Sequence, residues 1–317
     1  MAGEYVVVKP REPLPDTSLP VLVNEFTEMF PMWVSRILIT AVDEKWARRA
    51  GVAATGFAVS IIGSPAEAGV EALVPPTETP DGRPGVLVQF YHTDRILLKA
   101  QLLARLSQCV LTCPTTAAFD ALKGAKRIAK VGKSLSAFGD GFQVQETLAG
   151  RKVWRVPVME GEFIVEEGFG VKRAIAGGMF LILAADSSSG LAAAEKAVDA
   201  ISSVPEVVTP FPGGICRSGS KVGSRRGKLP ASTNELYCPT LREKIEGSPI
   251  PSDVKSVYEI VINGLSVERI KEALAAGIRA ALYSPGVKVI TSANYGGKLG
   301  RFQLYLADAL SGASTAA

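Results

Sequence analysis

A glutamate stands in the middle of the apolar segment Val257-Tyr-Glu-Ile-Val-Ile-Asn-Gly264. Side chains alternate between faces along a strand, so Val257, Glu259 and Val261 are expected on one face. A carboxylate between two valines is costly to bury ionised; it keeps its proton, with a raised pKa, or finds a partner. Such a group can give or take a proton near pH 7. The competing reading is an edge-strand glutamate whose carboxylate reaches water. Histidine chemistry has little room, because His92 is the only histidine and ends a strand-like run. Of the four cysteines, Cys109 and Cys113 lie four apart on an expected helix end, without the second pair that a zinc site needs. Two basic runs remain. Lys123, Lys126, Arg127, Lys130 and Lys133 form one; Arg217, Lys221, Arg225, Arg226 and Lys228 form the other, in a Gly/Ser-rich loop whose amides can approach an anion. Such runs are commonly solvated faces, and no aromatics interleave them as a nucleic-acid site would need.

The chain that must position these groups has 317 residues, 47% of them hydrophobic, with a formal net charge of +4. That length fits two domains. Its apolar stretches are interrupted well short of the ~20 residues that span a bilayer. No basic region followed by an apolar run opens the chain, and four cysteines suit reduced thiols. A cytoplasmic protein is expected, with no membrane partner.

Periodicity divides the chain into residues 1–24 as an extension, 25–150 as one α/β lobe, 151–310 as a second, and 311–317 as a tail. The first thirty residues read as a Pro-rich extension and an entry helix. Then come a strand at Ile37–Thr40, a helix capped by Asp43 and running through Ala54, and a strand at Phe57–Gly63. A strand at Val86–His92 follows, with a helix from Asp94 to Val110 that turns Ile96, Ala100, Leu103 and Leu106 to the core. The order returns downstream: a strand at Phe180–Ala184, a helix with the face Leu191, Ala194, Val198 and Ile201, and strands at Val207-Val208 and Val257–Ile262. A helix capped by Ser266 follows, with the face Ile270, Leu274, Ile278 and Ala281. Strands at Val287–Ile290 and Phe302–Leu306 close the chain. The expected class is α+β: two ferredoxin-like βαβ-βαβ lobes, an internal duplication, joined by a connecting segment with hairpins around Phe138-Gly-Asp-Gly141 and Lys152–Pro157. No Gly-x-Gly-x-x-Gly opens a helix after a strand, so no dinucleotide site is expected. Trp33, Trp46 and Trp154 read as core or interface residues.

Several loops are distinctive: Pro65-Ala-Glu-Ala-Gly69, Thr79-Pro-Asp-Gly-Arg-Pro-Gly85, Glu160-Gly-Glu-Phe-Ile-Val165, Pro210-Phe-Pro-Gly-Gly214, Ser220-Lys-Val-Gly223, Leu229-Pro-Ala-Ser-Thr-Asn234 and Asn294-Tyr-Gly-Gly-Lys-Leu-Gly300. With the Val257–Gly264 strand, their order resembles the formylmethanofuran:tetrahydromethanopterin N-formyltransferases, from about residue 24 to 308. That resemblance implies a homotetramer of two-lobed subunits. It also implies formyl transfer between N5 of tetrahydromethanopterin and the amine of a methanofuran- or methylofuran-type carrier, without metal, flavin or nucleotide. It places the catalytic glutamate at Glu259. The basic balance and terminal extensions resemble the bacterial branch, in which the enzyme is one subunit of a formyltransferase/hydrolase complex in formaldehyde oxidation. Transfer toward formylmethylofuran, with hydrolase partner subunits, is the expectation that follows.

Because such carriers bear glutamyl tails, Arg217, Arg225, Arg226 and Lys228 are candidate anionic-tail ligands. Ser220, Lys221, Ser224, Asn234, Asn294, Lys298 and Glu67 are candidate carrier contacts, each equally readable as a turn or cap residue. Two rival classes stay open: a non-catalytic scaffold subunit presenting the carrier tail to a hydrolase, and an RNA-binding module on ferredoxin-like lobes. The second lacks the paired strand aromatics such sheets use.

Overall fold

In the computed structural model, residues 4–311 are described, apart from 13 and 16. The tail expected at 311–317 therefore lies outside the described residues except for Ser311, which ends the helix Leu306–Ser311. The chain packs as two units, one of Pro31–Ala174 and one of Met1–Phe30 with Ile175–Ala317. This grouping differs from a cut at residue 150. The strands Arg151–Val158 and Gly161–Glu166 pair with each other, and Gly161–Glu166 also pairs with Ala117–Asp120, which keeps them in the Pro31–Ala174 unit. Two long strands, Phe26–Thr40 and Phe169–Ala184, carry the chain between the units.

In the Pro31–Ala174 unit the strand order is Glu67–Val74, Gly85–His92, the Phe26–Thr40 strand, Ala117–Asp120, Gly161–Glu166, Arg151–Val158 and Val144–Leu148. The helices Glu44–Thr55 and Arg95–Arg105 bury Ala47, Ala50, Leu98 and Leu102 against Ile37, Val86, Val88 and Phe90 of this sheet. Asp43 starts the first helix by accepting from the Trp46 amide at 2.8 Å, and Asp94 starts the second by accepting from Ile96 and Leu97. Trp33, Trp46 and Trp154 pack against this core.

Five expectations fail, in whole or in part, in this unit and its approach. No entry helix forms: Val6–Val8, Val21–Val23 and Phe26–Thr40 are strands, and the first two join the sheet of the other unit, so residues 1–24 are not merely an appendage. Residues Phe57–Gly63 make turns, because the Ser60 carbonyl and the Ser64 hydroxyl close hydrogen bonds there; the strand is Glu67–Val74. The second helix turns Leu98, Leu102 and Arg105 to the core; of the expected face Leu106 is buried and Leu103 packs there, but Ile96 and Ala100 are exposed. Ala117–Asp120 belongs to the sheet rather than to a connector, and Phe138–Gly141 ends a 3-10 turn rather than a hairpin.

In the second unit the order is Val6–Val8, Val21–Val23, Val287–Thr291, the Phe169–Ala184 strand, Ser256–Gly264 and Val207–Val208. The strand Phe302–Tyr305 pairs with residues Phe26 to Met29. The helices Ser187–Ser202 and Val267–Leu282 cover one sheet face. Ile270, Leu274, Ile278 and Ala281 are all buried as the spacing predicts, and the Ser266 hydroxyl accepts from the Arg269 amide at 3.2 Å. On Ser187–Ser202, Leu191 points outward and Ala193 and Ala197 take its place in the core. The opposite face carries Val21, Met179, Leu181, Leu183 and Val289, covered by Ile250 and Val254 from the long irregular segment. No helix among the described residues is long and apolar enough to cross a membrane.

Candidate functional site

Glu259 sits at the centre of Ser256–Gly264, opposite Leu181 of the neighbouring strand. Alternation behaves as expected: Val257 and Val261 pack on the face away from the helices, whereas Ile260 and Ile262 point into the helix-covered core. Its other edge is met by Cys216, which forms an isolated antiparallel bridge with it; the amides and carbonyls of the two residues exchange bonds of 2.8 and 3.0 Å. The residue keeps some contact with solvent, yet its carboxyl is surrounded by protein, and that burial pushes it above the ordinary glutamate value. A hydrogen bond from the Cys216 side chain works in the opposite direction. No ion pair among the described residues involves Glu259.

Two loops border this carboxyl. Residues Asn294 to Gly300 are held by Glu28, a 3% exposed carboxylate that accepts from the amides of Tyr295 (3.3 Å), Gly297 and Gly300 (3.1 Å). Asn294 closes the turn, accepting from the Gly296 amide and donating to the Phe26 carbonyl. Burial pushes the Tyr295 phenol up, as do the negative charges of Glu259 and Glu28. The phenol therefore stays protonated and can donate. The other loop runs from Cys216 into the hairpin of Lys221–Val222 with Ala231–Ser232. Nearby, burial and the charge of Glu25 push the Tyr237 phenol up to about 12, and its hydroxyl donates to the Ser292 carbonyl at 3.3 Å.

The remaining sequence candidates divide. Lys221 is bound to Glu235, whose carboxylate also lies 3.6 Å from Arg225; Lys221 holds that carboxyl below its usual range. The Ser224 hydroxyl closes the hairpin turn on the carbonyls of Arg226 and Gly227, so it serves as a turn residue. Arg217, Arg226 and Lys228 are exposed and form no ion pair among the described residues, as are Ser220 and Lys298. Asn234 precedes the short 3-10 turn Glu235–Tyr237, with its carbonyl accepting from the Tyr237 amide. Glu67 lies in the other unit, where it accepts from the Ile61 amide at 3.0 Å. Cys216, Tyr295 and Glu28 escaped sequence reasoning. Tyr295 does lie in a Gly-rich loop already marked as distinctive, and Cys216 falls between two others, but nothing local links Glu28 to residues some 270 positions away. No cluster of three or more His, Cys, Asp or Glu side chains among the described residues could hold a metal ion.

Fold and site together define a class: an α+β protein of two units whose second unit sets a carboxyl, a thiol and a phenol together with no cation among the described residues paired to the carboxyl. Comparison with known proteins gives the family. Residues 20–158 match the model of formylmethanofuran-tetrahydromethanopterin formyltransferase, and residues 161–309 match that of its proximal lobe. The chain is 54% identical to the formylmethanofuran–tetrahydromethanopterin formyltransferase of Methanocaldococcus jannaschii over 289 residues, 90% of this chain and 96% of that protein. A solved structure of the Methanosarcina barkeri enzyme superposes with a TM-score of 0.89 at 50% identity, covering 92% of this chain and 98% of that one. A chain from the formyltransferase/hydrolase complex of Methylorubrum extorquens, solved with methylofuran, superposes with a TM-score of 0.87 at 41% identity, covering 91% and 96%. The chain belongs to the formylmethanofuran–tetrahydromethanopterin formyltransferase family.

Proposed function

We infer that this chain is an N-formyltransferase that moves a formyl group between N5 of tetrahydromethanopterin and the amine of a methanofuran-type carrier. The observation that carries the reading is family membership across nearly the whole chain, at 50% identity or more to several named formyltransferases. Transfer between two nitrogens passes through a tetrahedral intermediate bearing an oxyanion. The attacking amine loses a proton and the departing nitrogen gains one, while donors aimed at the oxyanion stabilise it.

Glu259 is the residue we assign to these proton steps. What supports it is a carboxyl that burial keeps protonated beyond the usual range, with no cation to hold it ionised. It gives its proton to the leaving nitrogen and recovers one from the attacking amine, or donates its hydrogen bond to the oxyanion. The Tyr295 phenol, neutral beside it, is a second donor. Arg217, Arg226 and Lys228, with Ser220, Asn234, Asn294 and Lys298, are assigned to the carriers; exposed positive charge suits a glutamylated tail. Glu67 is kept as a carrier contact of the other unit.

The strand orders support a duplicated ferredoxin-like architecture. In each unit two strands that are each followed by a helix lie side by side at the sheet centre: Phe26–Thr40 with Gly85–His92 in one, and Phe169–Ala184 with Ser256–Gly264 in the other. A homotetramer and a cytoplasmic setting complete the proposal, the latter supported by free thiols at all four cysteines. Likeness to a chain of a formyltransferase/hydrolase complex supports hydrolase partners and transfer toward formylmethylofuran. The test is formyl exchange between formyl-tetrahydromethanopterin and methanofuran by the purified chain alone. Exchange without partners is expected; tail binding with no exchange would instead point to a scaffold subunit.

A further inference from the structure

We propose that Cys216 is a positioning residue for the transfer, its thiol hydrogen-bonding the Glu259 carboxyl across their bridge and holding that group in one orientation. The inference rests on the formyltransferase reading, but its geometry stands independently of it. In an antiparallel pair, residues directly opposite project to the same face with Cβ atoms about 4.5–5.5 Å apart. The 216/259 bridge is closed by backbone bonds of 2.8 and 3.0 Å, so the thiol is set beside the carboxyl by the backbone.

The segment that delivers Cys216 is itself tightly placed. Gly213 and Gly214 adopt φ of 61° and 78°, which favour glycine. A Cβ on Gly214 would also come within 2.7 Å of Thr209 Oγ1 and of a Val198 methyl. Cys216 is 4% exposed, and its sulfur lies 3.5 Å from the Ser218 hydroxyl, a second hydrogen-bonding partner. The sulfur can thus accept from Ser218 while donating to Glu259.

The same surroundings argue against a nucleophilic role. Burial and the adjacent Glu259 charge push the Cys216 thiol up, so it remains S–H, whereas attack requires the thiolate. Toward Glu259 the effect is opposite: the hydrogen bond favours the ionised carboxylate and offsets part of the upward push from burial. The other titratable group whose electrostatics reach Glu259 is Tyr295, which also faces Glu28 and stays neutral.

The experiment compares wild type, Cys216→Ala and Cys216→Ser. It follows the pH profile of kcat/KM for formyl exchange and, separately, titrates the Glu259 carboxyl by NMR in 13C-glutamate protein, assigned with Glu259→Gln. The inference predicts that Cys216→Ala raises the Glu259 midpoint by about one pH unit and moves the corresponding limb of the rate profile with it. Cys216→Ser, which restores a donor, should return both toward wild type. If Cys216→Ala lowers Tm too far to assay, Cys216→Val fills the space without a donor and takes its place. An unmoved midpoint in the donorless variant would overturn the inference. So would an S-formyl adduct on Cys216 after incubation with formyl donor, which would make the thiol a nucleophile. Failure of wild type to exchange at all would remove the formyltransferase reading and leave the NMR titration to decide the inference.

Discussion

Each unit buries a glutamate within its sheet, and the two are treated in opposite ways. Glu71, 2% exposed at its side chain, receives two hydrogen bonds from the Arg36 guanidinium at 2.6 and 2.7 Å and a third from the Gln89 amide at 2.7 Å. Tyr91 in turn donates to Gln89, so the charge ends in a closed network. Glu259 lies between valines, with a thiol and a neutral phenol around it and no cation. A paired buried carboxylate stays ionised and holds strands together; an unpaired one is driven to keep its proton. On the proposal made above, the company each acid keeps, more than its depth, is what sets the structural one apart from the one assigned to the chemistry.

The sharpest way to break the comparison is to remove each acid in turn. Glu259→Gln keeps the shape and removes the exchangeable proton, and formyl exchange is expected to fall by ~10² or more. Equal loss in Glu71→Gln, measured per folded molecule, would erase the distinction. What Glu71→Gln should cost is stability: it breaks a buried ion pair, a loss of about 3 kcal/mol in urea unfolding. A change under ~0.5 kcal/mol would mean the network does little structural work.

The basic hairpin sharpens the picture on the substrate side. Replacing Arg217, Arg226 and Lys228 together by alanine should raise KM for a glutamylated carrier about tenfold at low salt. It should leave kcat unchanged and spare a carrier truncated to its amine end. A fall in kcat with KM unmoved would instead tie these residues to the chemistry.

How much of this was legible in the sequence depends on the distance over which each feature is decided. The alternation around Glu259, the caps at Asp43 and Ser266 and the helix start at Asp94 are written within a few residues, and all appear as expected. The strand Glu67–Val74 was hidden because Ala68, Gly69 and Ala72 carry little strand preference, and its partner Gly85–His92 supplies what they lack. Residues 57–63 looked strand-like for the opposite reason, an apolar run whose serines close turns. The second helix deceived because Ile96 and Leu97 lie in its first turn, beside the Asp94 cap and in solvent. The site's electrostatics were the least legible part. Glu28 meets its amides some 270 positions along the chain, Arg36 meets Glu71 across two strands, and Cys216 reaches Glu259 only through the sheet.

All of this depends on Glu259 holding its proton because no cation among the described residues pairs with it and burial outweighs the Cys216 hydrogen bond, and the pH dependence of stability tests that most directly. A carboxyl whose pKa is raised by folding binds more protons in the folded chain. Its contribution to stability is therefore present below the ordinary glutamate value of 4.5 and is lost as pH rises through the higher folded value. Unfolding free energies of wild type and Glu259→Gln, measured from pH 4 to 8, should run together at the acid end and then separate, with the glutamine variant the more stable near neutrality. Curves that stay parallel across that range, or a wild type that gains on the variant as pH rises, would contradict the account and return Glu259 to an ordinary ionised carboxylate.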